Sequence, residues 1–148
     1  MTGRVRVVVE ADIRPTEDEE KVIQAIKNFF DPDTVSIEGD PGYTRRIVAV
    51  SYTLASLEKL RRILRVQRIL DAARKAMKKG RSSDRLVFML HKQAMSVGRA
   101  SFVGGENESP LGAITVVIEH PEPDRVIDWL APPTVRGRPV FELDRPPE

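Results

Sequence analysis

Five basic residues, Arg61, Arg65, Arg68, Lys75 and Lys79, recur at intervals of three, four and seven within the stretch Leu57 to Lys79. Wound as one helix at about 100° per residue, they gather within roughly 80° of each other. The other side then carries Leu60, Ile63, Leu64, Val66, Leu70, Ala73 and Met77. At about 1.5 Å per residue the cationic ridge would run about 27 Å. A one-sign ridge of that length suits phosphates, because each Lys or Arg that neutralises one releases a condensed counterion. Lys78, Arg81, Arg85, Lys92 and Arg99 extend the set to ten candidate nucleic-acid contacts.

The wider charge pattern agrees. From Lys59 to Arg99 there are thirteen Lys and Arg against Asp71 and Asp84, a net +11 inside a chain whose overall charge is +2. The remainder therefore carries −9. Such segregation favours a phosphate-rich partner; it equally suits acidic and basic halves that meet in the fold or at a subunit interface.

Other chemistry has little to work with. His91 and His120 are the only histidines and there is no cysteine, so a three-His centre, thiolate ligation and a Cys nucleophile are excluded. A His beside an apolar strand is usually a structural group. Lys92 and Ser96 have the i, i+4 spacing of a Ser–Lys dyad, without a base orienter or an oxyanion loop. Gly98, Gly104, Gly105 and Gly112 fit neither a P-loop nor a dinucleotide fingerprint, and a hairpin turn at Gly104-Gly105 is favoured over a phosphate nest. The carboxylates Glu17 to Glu20 cannot converge on one ion from a single turn. The expectation is no enzyme, no metal and no cofactor. With aromatics at 5%, stacking on bases is scarce, so nucleic-acid binding should follow phosphates and shape rather than base sequence.

The elements that position these residues follow from periodicity. Hydrophobic content of 41% and charged content of 31% over 148 residues fit one globular domain. No apolar run reaches the roughly 18 residues of a membrane span, and the N-terminus reads as a strand rather than a signal peptide. Arg4 to Ile13 alternates as a half-buried strand. Thr16 and Glu19 have capping-box spacing and open a helix with Val22, Ile23, Ala25, Ile26, Phe29 and Phe30 on its apolar face. Val35 to Glu38 and Arg45 to Thr53 read as a hairpin around Gly39 to Gly42. The basic helix ends at Gly80, and Leu86 to Leu90 is a buried strand. Lys92 to Gly98 is a helical turn or a bent strand. Ala100 to Val103 is strand, Gly104 to Pro110 loop, and Ala113 to Glu119 strand. Asp124 caps a short helix carrying Val126, Ile127, Trp129 and Leu130. The tail, 134 to 148, holds one edge strand at Val140 to Leu143 and is otherwise partly mobile. The mixed order argues for a single α+β domain over 1–148, a mostly antiparallel sheet with helices on one face.

Three stretches, VRVVVEADIRPTEDEEKVIQAIKNFF, LEKLRRILRVQRILDAARKAM and LHKQAMSVGRASFVGGENESPLGAITVVIEH, together resemble an archaeal protein family, over about Arg4 to Thr134. The resemblance implies a fold similar to the large-subunit ribosomal protein that binds five-S RNA. It also implies kinship with archaeal proteins proposed to bind RNA and accompany the exosome. It carries across no catalytic residue. Few Asn and Gln amid abundant charge fit a thermophile source.

Residues and resemblance together lead to a cytoplasmic, non-enzymatic RNA-binding protein. The alternative is an assembly module whose basic helix docks on an acidic protein surface. Homodimerisation is expected through sheet edges or opposite-sign faces.

Overall fold

In the computed structural model, which describes residues 5–104 and 112–148, the alternating segments pair into one six-stranded sheet. The strands are β1 (Arg6–Ile13), β2 (Thr34–Glu38), β3 (Arg45–Ser51), β4 (Arg85–His91), β5 (Phe102–Val103) and β6 (Ala113–Glu119). Their spatial order is β2-β3-β1-β6-β4-β5, and every neighbouring pair is antiparallel. A two-residue hairpin, β7 (Thr134–Val135) with β8 (Arg138–Pro139), stands apart. The helices are α1 (Glu19–Lys27), α2 (Glu58–Val66), α3 (Leu70–Lys79), α4 (Lys92–Ser96) and α5 (Pro123–Leu130), with a 3-10 turn at Leu54–Leu57 leading into α2. None of these helices is long and apolar enough to cross a membrane.

Register explains why the helices lie on one side. Val7, Val9, Ala11 and Ile13 of β1 share a face with Ile47 and Ala49, Ile114, Val116 and Ile118, and Leu86, Phe88 and Leu90. All are buried. Against them pack Phe29 and Phe30 after α1, Leu60 and Leu64 of α2, Ala73 and Met77 of α3, and Ile127, Trp129 and Leu130 of α5. Burying a side chain of this size stabilises by roughly 1.5–3 kcal/mol, so this single interlayer core dominates the fold. The fold is α+β, as periodicity predicts.

The long basic helix does not exist as one piece. α2 ends at Val66 and α3 begins at Leu70, because Arg68 adopts a left-handed φ of 57°. The amide of Arg68 donates to Arg65 O at 3.1 Å and that of Ile69 to Leu64 O at 3.1 Å. This is the paired 5→2 and 6→1 bonding of a Schellman stop, with arginine where glycine is usual. Val66, expected on the apolar face, is 76% exposed, because in α2 it lies more than about 100° around the helix from the buried Leu60 and Leu64.

Other boundaries also differ. α1 is capped by Asp18, whose carboxylate accepts from the Glu20 amide at 3.0 Å, and not by Thr16. Asp124 lies inside α5, one residue after Pro123 at the first helical position. Gly80 ends α3 for a steric reason: a Cβ there would lie 1.7 Å from Val87 O.

Val140 to Leu143 forms no strand, and the tail makes contacts with the rest of the fold at several points. The Val140 amide donates to Pro133 O, Leu143 packs on the core, and the Glu148 carboxylate accepts from the amides of Leu54 and Ala55 at 2.5 and 3.1 Å. Those two amides open the 3-10 turn and would otherwise lack partners. The expected loop from Gly105 to Pro110, and with it the second glycine of Gly104-Gly105, lies outside the described residues.

Candidate nucleic-acid interface

The ten predicted contacts divide sharply. Arg61 and Arg65, meant to face solvent, are only 16% and 20% exposed and act inside the fold. Arg61 Nε donates to Trp129 O at 3.1 Å and its Nη2 to Leu143 O at 3.0 Å. Arg65 Nη1 donates to Leu130 O at 3.0 Å, and its Nε and Nη2 form a fork with both oxygens of Glu142 at 2.8 and 2.6 Å. Arg74 Nη1 adds bonds to Asp128 and to Ala131 O. Three arginines from α2 and α3 thus satisfy the carbonyls at the end of α5, where the helix dipole favours cations. The guanidinium of Arg61 also lies 5.5 Å from the centre of the Trp129 ring. Arg65's hydrogen bond, then the charges of Arg65 and Arg61, hold the Glu142 carboxyl below the usual glutamate range despite partial burial.

Lys92 is buried. Its Nζ donates to Asp12 O at 2.7 Å and to Glu17 Oε1 at 3.1 Å, a pair whose side chains are 4% and 8% exposed. Glu17 is therefore an interior counter-ion, and no Ser–Lys dyad forms because Ser96 Oγ donates to Gln93 O instead. Arg81 is exposed but bonded to Asp124 at 2.6 Å, which lowers that carboxyl. The histidines are structural. His91 Nδ1 accepts from the Ala94 amide to cap α4, while His120, buried, accepts from the Glu122 amide at 2.8 Å and donates from Nε2 to Pro147 O. Among the described residues no cluster of three metal-ligating side chains occurs.

What remains is a smaller cationic surface. Arg68, Lys75, Lys78, Lys79, Arg85 and Arg99 are exposed and have no ion pair or side-chain hydrogen bond among the described residues. At 100° per residue, Lys75, Lys78 and Lys79 lie on the solvent side of α3, opposite Leu70, Ala73 and Met77. The stop at Arg68 places a fourth cation at the head of the same helix. Gln67 fixes this end by gripping Ala100, Nε2 to O at 3.0 Å and Oε1 from N at 2.7 Å, which brings Arg99 beside the turn. Arg62, on the exposed side of α2, belongs to the same unpaired class; it lies off the original ridge, so the spacing argument passes over it.

A family model described as RNA binding matches residues 6–120 of this chain. A UPF0201 protein of Aeropyrum pernix is 58% identical over 145 residues, covering 97% of this chain and 96% of that one. The chain belongs to the UPF0201 family. Another UPF0201 protein, from Metallosphaera sedula, is 52% identical over 141 residues. A UPF0201 crystal structure from Methanococcus jannaschii superposes with a TM-score of 0.81 at 32% identity, covering 92% of this chain and 99% of that one. A DUF54 protein from Methanothermobacter thermautotrophicus shares the fold alone, at a TM-score of 0.56 and 22% identity. The match to the RNA-binding family model spans β1 to β6, and so includes both α3 and the turn at Arg68.

Proposed function

We propose that this protein binds RNA without altering it covalently, and that the solvent side of α3 with the Arg68 turn is the contact surface. The observation that carries this reading is the split among the cations: Arg68, Lys75, Lys78 and Lys79 are exposed and unpaired among the described residues, whereas Arg61, Arg65, Arg74 and Lys92 are consumed by the fold. The family model's description supports RNA as the partner. The fold similarity to the five-S-RNA-binding ribosomal protein and the kinship with proteins proposed to accompany the exosome, both implied only by the sequence resemblance, fit the same reading, as does a cytoplasmic site of action. Three lysines on one short helix and an arginine in the turn before it grip phosphates without a base-reading pattern, so affinity should be tolerant of sequence. Arg68, Lys75, Lys78 and Lys79 would make about four phosphate contacts, giving a log–log salt slope of about −2.8 to −3.6. The test is RNA binding across salt concentrations for wild type and for Lys75→Glu with Lys79→Glu. A folded double variant that binds with the wild-type slope would exclude this surface.

A second reading, assembly with a copy of itself, is favoured by a different face. The side of the sheet away from the helices carries Val50, Val8, Val117 and Val87 in register across four strands. Toward one end of the strands this face holds Arg6, Glu119 and Arg85, and toward the other Glu10, Asp12, Glu38 and Arg46. The ends are net positive and net negative, so a two-fold stacking of two such faces would pair opposite charges over a common apolar centre.

A further inference from the structure

At the sheet edge beside the lysines of α3 lies a groove of about 390 Å³, bounded by Ala76 and Gly80 at the end of α3 and by Val87, Met89, Phe102 and Val103 of β4 and β5. That volume is in the range of about 300–1,000 Å³ occupied by small-molecule sites. Among the described residues, Lys79 is the only charged one that lines it. The groove has a structural cause. β4 is paired on its outer side by the bridge of Arg81 to Leu86 and by β5 at Met89 and Leu90, while α3 crosses above. The bare backbone of Gly80 lets the end of α3 close onto Val87, which holds Lys79 at the groove's mouth. On the helix, Ala76 points toward β5 and Lys79 and Lys75 follow around toward solvent. Asp71 and Arg74 are turned away, to Thr134 and Asp128.

An apolar slot with a cationic lip fits a flat apolar ring joined to a phosphate. Phe102 supplies the ring partner: it is half-buried, and its centroid is 5.8 Å from that of Phe88, tilted by 55°. We propose that the groove receives an unpaired nucleobase, stacked on Phe102, while Lys79 and its neighbours hold the adjoining phosphates. This rests on the RNA reading above and specifies its substrate class as single-stranded RNA, since a base inside a duplex is not available to enter. Stacking is indifferent to base identity because every base offers a π face, which keeps the site tolerant of sequence.

The experiment compares a labelled oligouridine with a blunt RNA duplex of the same length, by fluorescence anisotropy, for wild type, Phe102→Leu, Phe102→Tyr and Lys75→Glu with Lys79→Glu. Leucine keeps the apolar contact with Phe88 but has no π face. Phe102→Leu should weaken oligouridine by about 5- to 100-fold at an unchanged salt slope, leaving duplex binding as it was. Phe102→Tyr should restore the wild-type affinity. If Phe102→Leu binds oligouridine like wild type, or loses both RNAs equally, the groove is not a base site, while weakening by the lysine variant would still uphold the α3 surface. If wild type binds neither RNA, both readings fall.

Discussion

Arg65 and Glu142 face each other as a bidentate pair, Nε to Oε2 at 2.8 Å and Nη2 to Oε1 at 2.6 Å, across 77 residues of chain. Arg65 also caps the end of α5, so a residue placed by helical spacing on a solvent ridge ties α2, α5 and the tail together. Planar forks of this kind are stronger and more geometrically specific than a single ammonium contact. Arg65→Ala should therefore cost about 2–4 kcal/mol, since it frees buried carbonyls as well as the carboxylate. Lys75→Ala should stay within about 0.5 kcal/mol. Denaturant titration separates the two, and losses of equal size would show that the fork contributes nothing.

Acid should loosen the same clamp. The carboxyl of Glu142 is lowered in the folded protein, so the unfolded chain binds the proton more readily and stability rises with pH through this range. The contribution is fully present above the unfolded glutamate value near 4.3 and is lost as pH falls through the lower folded value. Glu142→Gln should flatten that part of the stability–pH curve. An unchanged curve would place the acid dependence in other carboxylates.

The layered architecture was legible because β1, β4 and β6 alternate with period two and carry the core on one face. The break in the basic helix was not. Its apolar positions continue at helical spacing through Gln67, Arg68 and Ile69, and no glycine or proline marks the stop. The fate of Arg61 and Arg65 was equally hidden, because the carbonyls they cap belong to α5, more than sixty residues away. Phe102 reads as one more strand residue until the fold places it beside the lysines of α3. Lys92 could be placed only once Glu17 was seen to turn inward from the acidic run before α1.

Cap choice at α1 gives a direct comparison. Asp18 accepts the Glu20 amide, whereas Thr16, in spite of its spacing to Glu19, makes no capping bond. Asp18→Ala should cost about 1 kcal/mol and Thr16→Ala less than about 0.5 kcal/mol. Thermal melts showing the reverse order would move the helix start back to Thr16.

Self-association should depend on the sheet face away from the helices rather than on the tail. If two copies stack across Val50, Val8, Val117 and Val87, Val117→Lys places an unpaired ammonium at the centre of the contact and leaves the helix-side core untouched. Light scattering should show a dimer for wild type and a monomer for this variant. A wild-type monomer at tens of micromolar, on the order of the concentrations where weak dimers form, removes the assembly reading.

Arg68 joins the two themes, because one side chain is both a conformational cost and a candidate phosphate contact. Its φ of 57° is a region where a non-glycine residue is strained by about 1 kcal/mol or more. The Schellman bonds from its own amide and that of Ile69 use only backbone, so glycine can make them unchanged. Arg68→Gly should accordingly raise stability by about 1 kcal/mol, less the greater freedom of glycine in the unfolded chain. The same change removes one cation from the head of α3, so RNA binding should weaken and the salt slope become shallower by about 0.7 to 0.9. Arg68→Ala removes the charge but retains the strain, so it should match glycine in the binding assay and fall below it in the melt. A glycine variant that binds RNA with the wild-type slope would restrict the contact surface to the lysines of α3.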